Sequence, residues 1–191
     1  MLILGSGSKA RKALLVSVGL IPEQVLAPNI DETSMNKELP LEYVKRMALE
    51  KSINLKVGSG DVLITADTIV VVGRSILHKV NNKNDAREYL RLLSGRTHRV
   101  FTAFNVKYQN KNYFGLEKTF LKMKYLTDFE IDDYLKENEW QGRAGGYSIQ
   151  GRAIKFFPVI KGCFSNIVGL PLPRLDNTLK GIGYYRNINN G

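Results

Sequence analysis

Three charged residues stand where the surrounding pattern calls for apolar ones. Asp67 interrupts DVLITADTIVVVG, the most apolar stretch of the chain. Lys51 falls seven residues after Val44, on the stripe that Val44, Met47, Ala48 and Leu55 turn inward. Arg11 lies one turn before Leu15, on the inward side defined by Leu14, Leu15 and Val18. A buried charge without a partner is costly, so each must meet an opposite charge, a metal or a charged ligand. Two arrangements satisfy this. One is a closed salt-bridge network with Lys51 snorkelling at its helix end. In the other, Asp67 and Glu32 supply the oxygen ligands that Mg²⁺ prefers, while Arg11, Lys51 and Lys79 bind the phosphates it bridges. Thr68, beside the strand aspartate, and Gln150, at the end of a glycine-rich loop, complete the polar set.

The opening MLILGSGSKARKALL adds a place for a phosphate. A short strand runs into a glycine and serine loop and then into a helix, whose first N–H groups are unpaired and whose dipole favours negative charge. Other motifs fall away. GSGSKA matches G-x-G-x-x-A, but the next acidic pair, Asp31-Glu32, is too far from the second glycine for a dinucleotide fingerprint. There is no G-x-x-x-x-G-K-[ST] loop and no Ser-His-Asp set. His78 and His98 have no cysteine nearby and read as surface or packing residues, and Cys163 reads as packing.

These residues need elements to hold them. Leu2 to Leu4 reads as a buried strand; Ser8 caps a helix from Lys9 to about Val18, stopped by Gly19. LPLEYVKRMALEKSINLKVG reads as a second helix, with Pro40 at its start and Gly58 beyond its end. DVLITADTIVVVG reads as a central strand covered on both faces, followed by a short hairpin before Lys79. A helix from Lys83 to Leu93 precedes two long strands, HRVFTAFNVKYQ and YFGLEKTFLKMKYL, joined by NKN as a hairpin. Thr127 and Glu130 form a capping box for a short helix. WQGRAGGYSIQGRA is too rich in turn formers for regular structure and reads as a functional loop. IKFFPVIKG and SNIVGLPL read as returning strands, PRLDNTLKGIGYY as a last helix and RNINNG as a ragged tail. The sum is α/β with a mixed sheet.

The 191 residues fit one domain, 1–191, and 43% hydrophobic with 24% charged residues is ordinary globular usage. No apolar run approaches the roughly 18 to 20 residues of a membrane span, and no basic leader precedes the first strand. One cysteine fits a reducing compartment, so a cytoplasmic location without membrane attachment is expected. The net charge of +10 raises nucleic acid as a partner, but the basic residues are scattered singly or in pairs. The expectation is a solvated basic surface and no nucleic acid.

Eight segments in order, LILGSGSKARKALL, IDE, YVKRMALEKS, ADTIVV, HK, LSGRTHRVFTA, AGGYSIQG and NIVGLPL, resemble the Maf family. These are septum-formation-inhibitor-like nucleotide pyrophosphatases, related to inosine triphosphate pyrophosphatases in the Maf/Ham superfamily. The segments run from Leu2 to about Leu172. The resemblance implies two lobes around a cleft, often dimeric, and hydrolysis of a free nucleoside triphosphate between its α and β phosphates with a divalent metal, Mg²⁺ or Mn²⁺. It implies Asp67 as proton acceptor, Glu32 with Asp67 at the metal, and Lys51, Lys79 and Arg11 neutralising the phosphates. Ser6, Ser8 and the loop amides would cradle them. ADT and IQG resemble the branch acting on dTTP and UTP, which makes Thr68 and Gln150 specificity residues. Two departures stand out. Where the family usually has Ser-Pro-Arg-Arg, this chain has Ser8-Lys9-Ala10-Arg11, so a specificity arginine is replaced by Ala10 and Lys9 or Lys12 is left to substitute. The family's Lys-Pro is Lys79-Val80. The alternative from another class is a non-catalytic regulator of cell division that binds a nucleotide or a protein partner.

Overall fold

The strand that carries Asp67 organises the molecule. In the computed structural model, which describes residues 1–185, β3 (Val62–Val72) is covered along almost its whole length, as its run of Val, Ile and Thr requires. One edge of β3 pairs antiparallel with β5 (Thr97–Tyr108) from Leu63↔Lys107 to Val71↔Arg99. The other edge is shared. β1 (Leu2–Gly5) runs parallel to its first half, from Leu2↔Val62 to Gly5↔Thr65. β4 (Ser75–Leu77) folds back on its second half, from Val72↔Ser75 to Val70↔Leu77. Between them, Ala66 to Ile69 has no strand beside it among the described residues. With β2 (Gln24–Val25), β6 (Lys111–Lys122) and β7 (Val159–Lys161), the sheet has the order β2-β1-β3-β5-β6-β7, with β4 on β3. It is mixed: β1 pairs parallel with β2 and β3, and every other pairing is antiparallel.

Period-two alternation sends β3 side chains to two faces. On one face, α1 (Lys9–Ser17) and α6 (Leu172–Gly181) pack Leu15, Leu175 and Leu179 on Leu4, Ile64 and Phe104. Farther along that face, α3 (Lys83–Leu93) and α4 (Asp128–Leu135) bury Leu90 and Tyr134 with Val70, Val100 and Leu121. On the other face, α2 (Pro40–Asn54) lays Val44, Met47 and Ala48 on Ile69, Val71, Phe101 and Ala103. The first face thus carries two separate cores, with the open stretch of β3 between them, which is the two-lobed arrangement expected.

The helix signals act where they were read. Ser8 Oγ accepts from Arg11 N, Pro40 opens α2, and both halves of the Thr127/Glu130 capping box form. Several expectations are corrected. The long hairpin turns at Gln109-Asn110, both with positive φ, and Tyr108 pairs with Lys111, so NKN is not the turn and the second strand stops at Lys122. IKFFPVIKG contributes only β7, after a 3₁₀ helix at Arg152–Phe156, and SNIVGLPL is no strand: Phe164–Val168 forms α5. The physical reason lies in Asn166, whose buried amide donates to Val100 O at 3.1 Å and Thr119 Oγ1 at 2.9 Å; short apolar runs carry no periodicity that foretells this. Val18 is half exposed instead of inward, and β2 carried no strand signal. The RNINNG tail lies outside the described residues.

Candidate active site

The open edge of β3 is the floor of the cleft. Asp67 and Thr68 are consecutive there, so their side chains leave on opposite faces, yet with no neighbouring strand both reach the same opening. Asp67 points to α2. Its Oδ1 accepts from Lys51 Nζ at 2.6 Å, and the same ammonium lies 2.7 Å from Glu32 Oε1. Lys51, 6% exposed at its side chain, is the inward-facing lysine expected, and its charge is met by two carboxylates. Glu32 then passes the network to Lys79 Nζ at 3.3 Å. Its loop is held by Tyr43, whose hydroxyl donates to Glu32 O at 2.8 Å, and by Arg46, whose Nη2 donates to Thr33 O at 3.0 Å. Burial pushes the Glu32 carboxyl up, but hydrogen bonds and charge from Lys51 and Lys79 outweigh it and hold the group below its usual range.

Thr68 points to α1. Arg11 Nη2 donates to Thr68 Oγ1 at 3.0 Å, Nη1 to Ser6 Oγ at 3.0 Å and Nε to Gly169 O at 2.9 Å. Burial lowers the Arg11 pKa while Asp67 and Glu32 oppose that shift, so the guanidinium stays charged. Beyond Arg11 the cleft has two parts. One is a pocket walled by Val70, Val100, Ile167 and Val168, with Thr68, Ser148 and Gln150 as polar groups. The other is a groove lined by Ser6, Ser8, Lys9, Ala10, Lys51 and Lys79. Arg11, Lys79 and Ser8 line both. A pocket with one apolar wall and polar groups around the rest of its lining, opening into a cationic groove, is the shape and charge of a site for a flat ring that carries a polyanion.

Of the residues singled out in the sequence, Asp67, Lys51, Glu32 and Lys79 are joined in one chain of ion pairs, and Arg11, Ser6 and Thr68 in a second network. Ala10 and Gln150 line the cleft. Lys12 is not brought in: it is exposed on α1 and lines neither part, whereas Lys9 does line the groove. Arg143 was missed. It lines both parts, it is exposed, and its guanidinium takes no hydrogen-bond or ion-pair partner among the described residues. Its backbone is pinned to the strand side, since Val80 N donates to Arg143 O at 3.3 Å and Gly142 N to Val80 O at 2.8 Å. The glycine-rich composition of its loop was the available signal; Gly145 and Gly146, both at φ +72°, make the turn that returns it to the cleft.

Glu32 and Asp67 are hard oxygen donors, and no group of three His, Cys, Asp or Glu side chains gathers to hold a metal among the described residues. Two carboxylates suit a Mg²⁺ or Mn²⁺ ion that is shared with substrate phosphates better than one caged by protein alone.

The family described as Maf-like protein matches residues 1–182. The dTTP/UTP pyrophosphatase of Roseobacter denitrificans is 42% identical over 184 residues, covering 96% of this chain and 98% of that protein. The dTTP/UTP pyrophosphatase of Cereibacter sphaeroides is 43% identical over 182 residues, 95% of each chain. A nucleoside triphosphate pyrophosphatase of Neorickettsia sennetsu is 43% identical over 186 residues, 96% of this chain and 89% of that protein.

Proposed function

Because this chain belongs to the Maf-like protein family, we propose that it is a nucleoside triphosphate pyrophosphatase acting foremost on dTTP and UTP. It splits the α–β phosphoanhydride to release a nucleoside monophosphate and pyrophosphate. The observation that carries this reading is the placement of Asp67 at the open edge of β3, where it lines the half-apolar pocket and is bonded at 2.6 Å to Lys51, which lines the cationic groove.

Phosphoryl transfer rests on placement and charge stabilisation, so no covalent nucleophile is needed. With the base in the pocket and the phosphates along the groove, the α-phosphorus lies at the seam beside Asp67. Lys51 occupies Asp67 Oδ1; Oδ2 carries no hydrogen bond within the described chain and takes the proton of an attacking water. The water oxygen bonds to the α-phosphorus, the bond to the bridging oxygen breaks, and pyrophosphate leaves. Lys79, Arg11 and Arg143 face the negative charge that builds on those oxygens, and Ser6, Ser8 and the loop amides orient the chain. Glu32 and Asp67 would hold a divalent ion, which supplies further neutralisation of the phosphates. Thr68 and Gln150 meet the base. A cytoplasmic location and the dimer implied by the resemblance belong to the same reading, the latter checked by sedimentation.

The test is pyrophosphate release from dTTP, UTP, CTP, GTP and 7-methyl-GTP with Mg²⁺ or Mn²⁺, for the native chain and Asp67→Asn. Release led by dTTP or UTP, and reduced about 10²- to 10⁴-fold by the substitution, is expected. A folded native chain that releases none from any nucleotide would overturn the reading in favour of a binding protein.

A further inference from the structure

The hydroxyl of Thr68 has a fixed polarity, and a proton count shows it. A threonine hydroxyl has one proton to donate and two lone pairs. Thr102, fully buried and opposite Thr68 on β5, lies 2.9 Å from the backbone carbonyl of Asn166, which only accepts, so the Thr102 proton is committed there. Thr102 Oγ1 is also 2.9 Å from Thr68 Oγ1, and with its own proton spent it must accept from Thr68. One lone pair of Thr68 receives Arg11 Nη2 at 3.0 Å. What Thr68 has left for the pocket is a single lone pair. The far end of this relay does not slacken, because the fully buried Asn166 is tied to Val100 O and Thr119 Oγ1.

We infer that Thr102 is a positioning residue for base selection: it holds Thr68 as an acceptor, so the pocket takes a pyrimidine that presents a ring N–H. Uracil and thymine donate at N3; cytosine, of the same size, has a bare acceptor there and meets lone pair with lone pair. The inference rests on the nucleotide reading above and deepens it by naming the recognised group. A pocket built to bond a donor rejects an isostere without it, because its own polar group is left unpaired. Gln150, with a donor and an acceptor on one exposed amide, has no such fixed sign.

The decisive experiment compares kcat/KM for UTP, CTP and N3-methyl-UTP with the native chain, Thr102→Val and Thr102→Ser. The native chain should prefer UTP over both others by about 10- to 100-fold. Thr102→Val removes the acceptor that claims the Thr68 proton, so the hydroxyl turns and donates; the UTP-to-CTP ratio should fall toward one as CTP gains. Thr102→Ser restores the relay and should restore the ratio, a recovery that general loosening of the core would not produce. A folded Thr102→Val with the native ratio overturns the inference. So does a native chain that hydrolyses UTP, CTP and N3-methyl-UTP alike, a result that stands even if the valine variant does not fold. No hydrolysis of any nucleotide by the native chain would instead remove the nucleotide reading itself.

Discussion

Asp67 and Thr68 are adjacent in β3, yet Asp67 is bonded to Lys51 of α2 at 2.6 Å on one face of the sheet and Thr68 to Arg11 of α1 at 3.0 Å on the other. The two meet one cleft only because β1 leaves the edge after Thr65 and β4 joins it at Val70. A substrate lying across that gap touches a carboxylate on one side of the sheet and a hydroxyl on the other. In the function proposed, chemistry and recognition therefore sit one residue apart.

Lys51→Met keeps an unbranched side chain of nearly the same length and removes the charge shared by Asp67 and Glu32. Asp67 is then left buried and unpaired, which costs about 3–5 kcal/mol. Urea denaturation should show a lower midpoint at an unchanged slope; an unchanged midpoint would mean that Lys51 is not holding the two carboxylates together.

Arg143→Ala separates binding from stability. The side chain is exposed and unpartnered among the described residues, so the unfolding free energy should stay within about 0.5 kcal/mol. Loss of one charge-assisted contact to a phosphate should lower kcat/KM for UTP about 10-fold or more. Native kinetics in the variant would place Arg143 outside the site.

His98 supplies a pH signature. It is buried, its Nε2 lies 2.8 Å from the Tyr147 hydroxyl, and burial pushes its pKa down to about 4 from 6.5. Below about pH 6.5 the unfolded chain takes up a proton that the folded one refuses, so stability is lost as pH falls from about 6.5 to about 4. At 1.36 kcal/mol per pKa unit the loss is about 3 kcal/mol. His98→Gln does not titrate, and its stability plotted against pH should be flatter than the native curve over that window; parallel curves would refute the assignment.

Asn110→Gly tests the long hairpin. Gln109 and Asn110 hold φ of 48° and 59°, a two-residue turn in which glycine carries no Cβ penalty at the second position. A gain in stability is expected, read as a raised melting temperature.

Much of the fold was legible because its signals are local. Ser8, Pro40 and the Thr127/Glu130 box act within one turn of chain, and β3 declares itself through an unbroken run of apolar and β-branched residues. Asp67, Lys51 and Arg11 stood out for the same reason: each violates a pattern that its neighbours define. Where the deciding contact is distant the signal fails, as with α5, fixed by Asn166 reaching β5 and β6, and with Lys12, whose type suited a phosphate site but whose face of α1 does not meet the groove.

The amino-acid sequence alone marked most of the elements and the buried charges, since periodicity and desolvation cost are properties of residue type and spacing, and its resemblance to the Maf family supplied the reaction class. Only the tertiary structure decided which charges pair, that the edge of β3 opens between Thr65 and Val70, that Arg143 reaches the cleft and that the Thr68 hydroxyl lies against that of Thr102. These depend on distances between residues far apart in the chain, such as Lys51 and Asp67 or Thr68 and Thr102, and such distances come into being only when the sheet assembles.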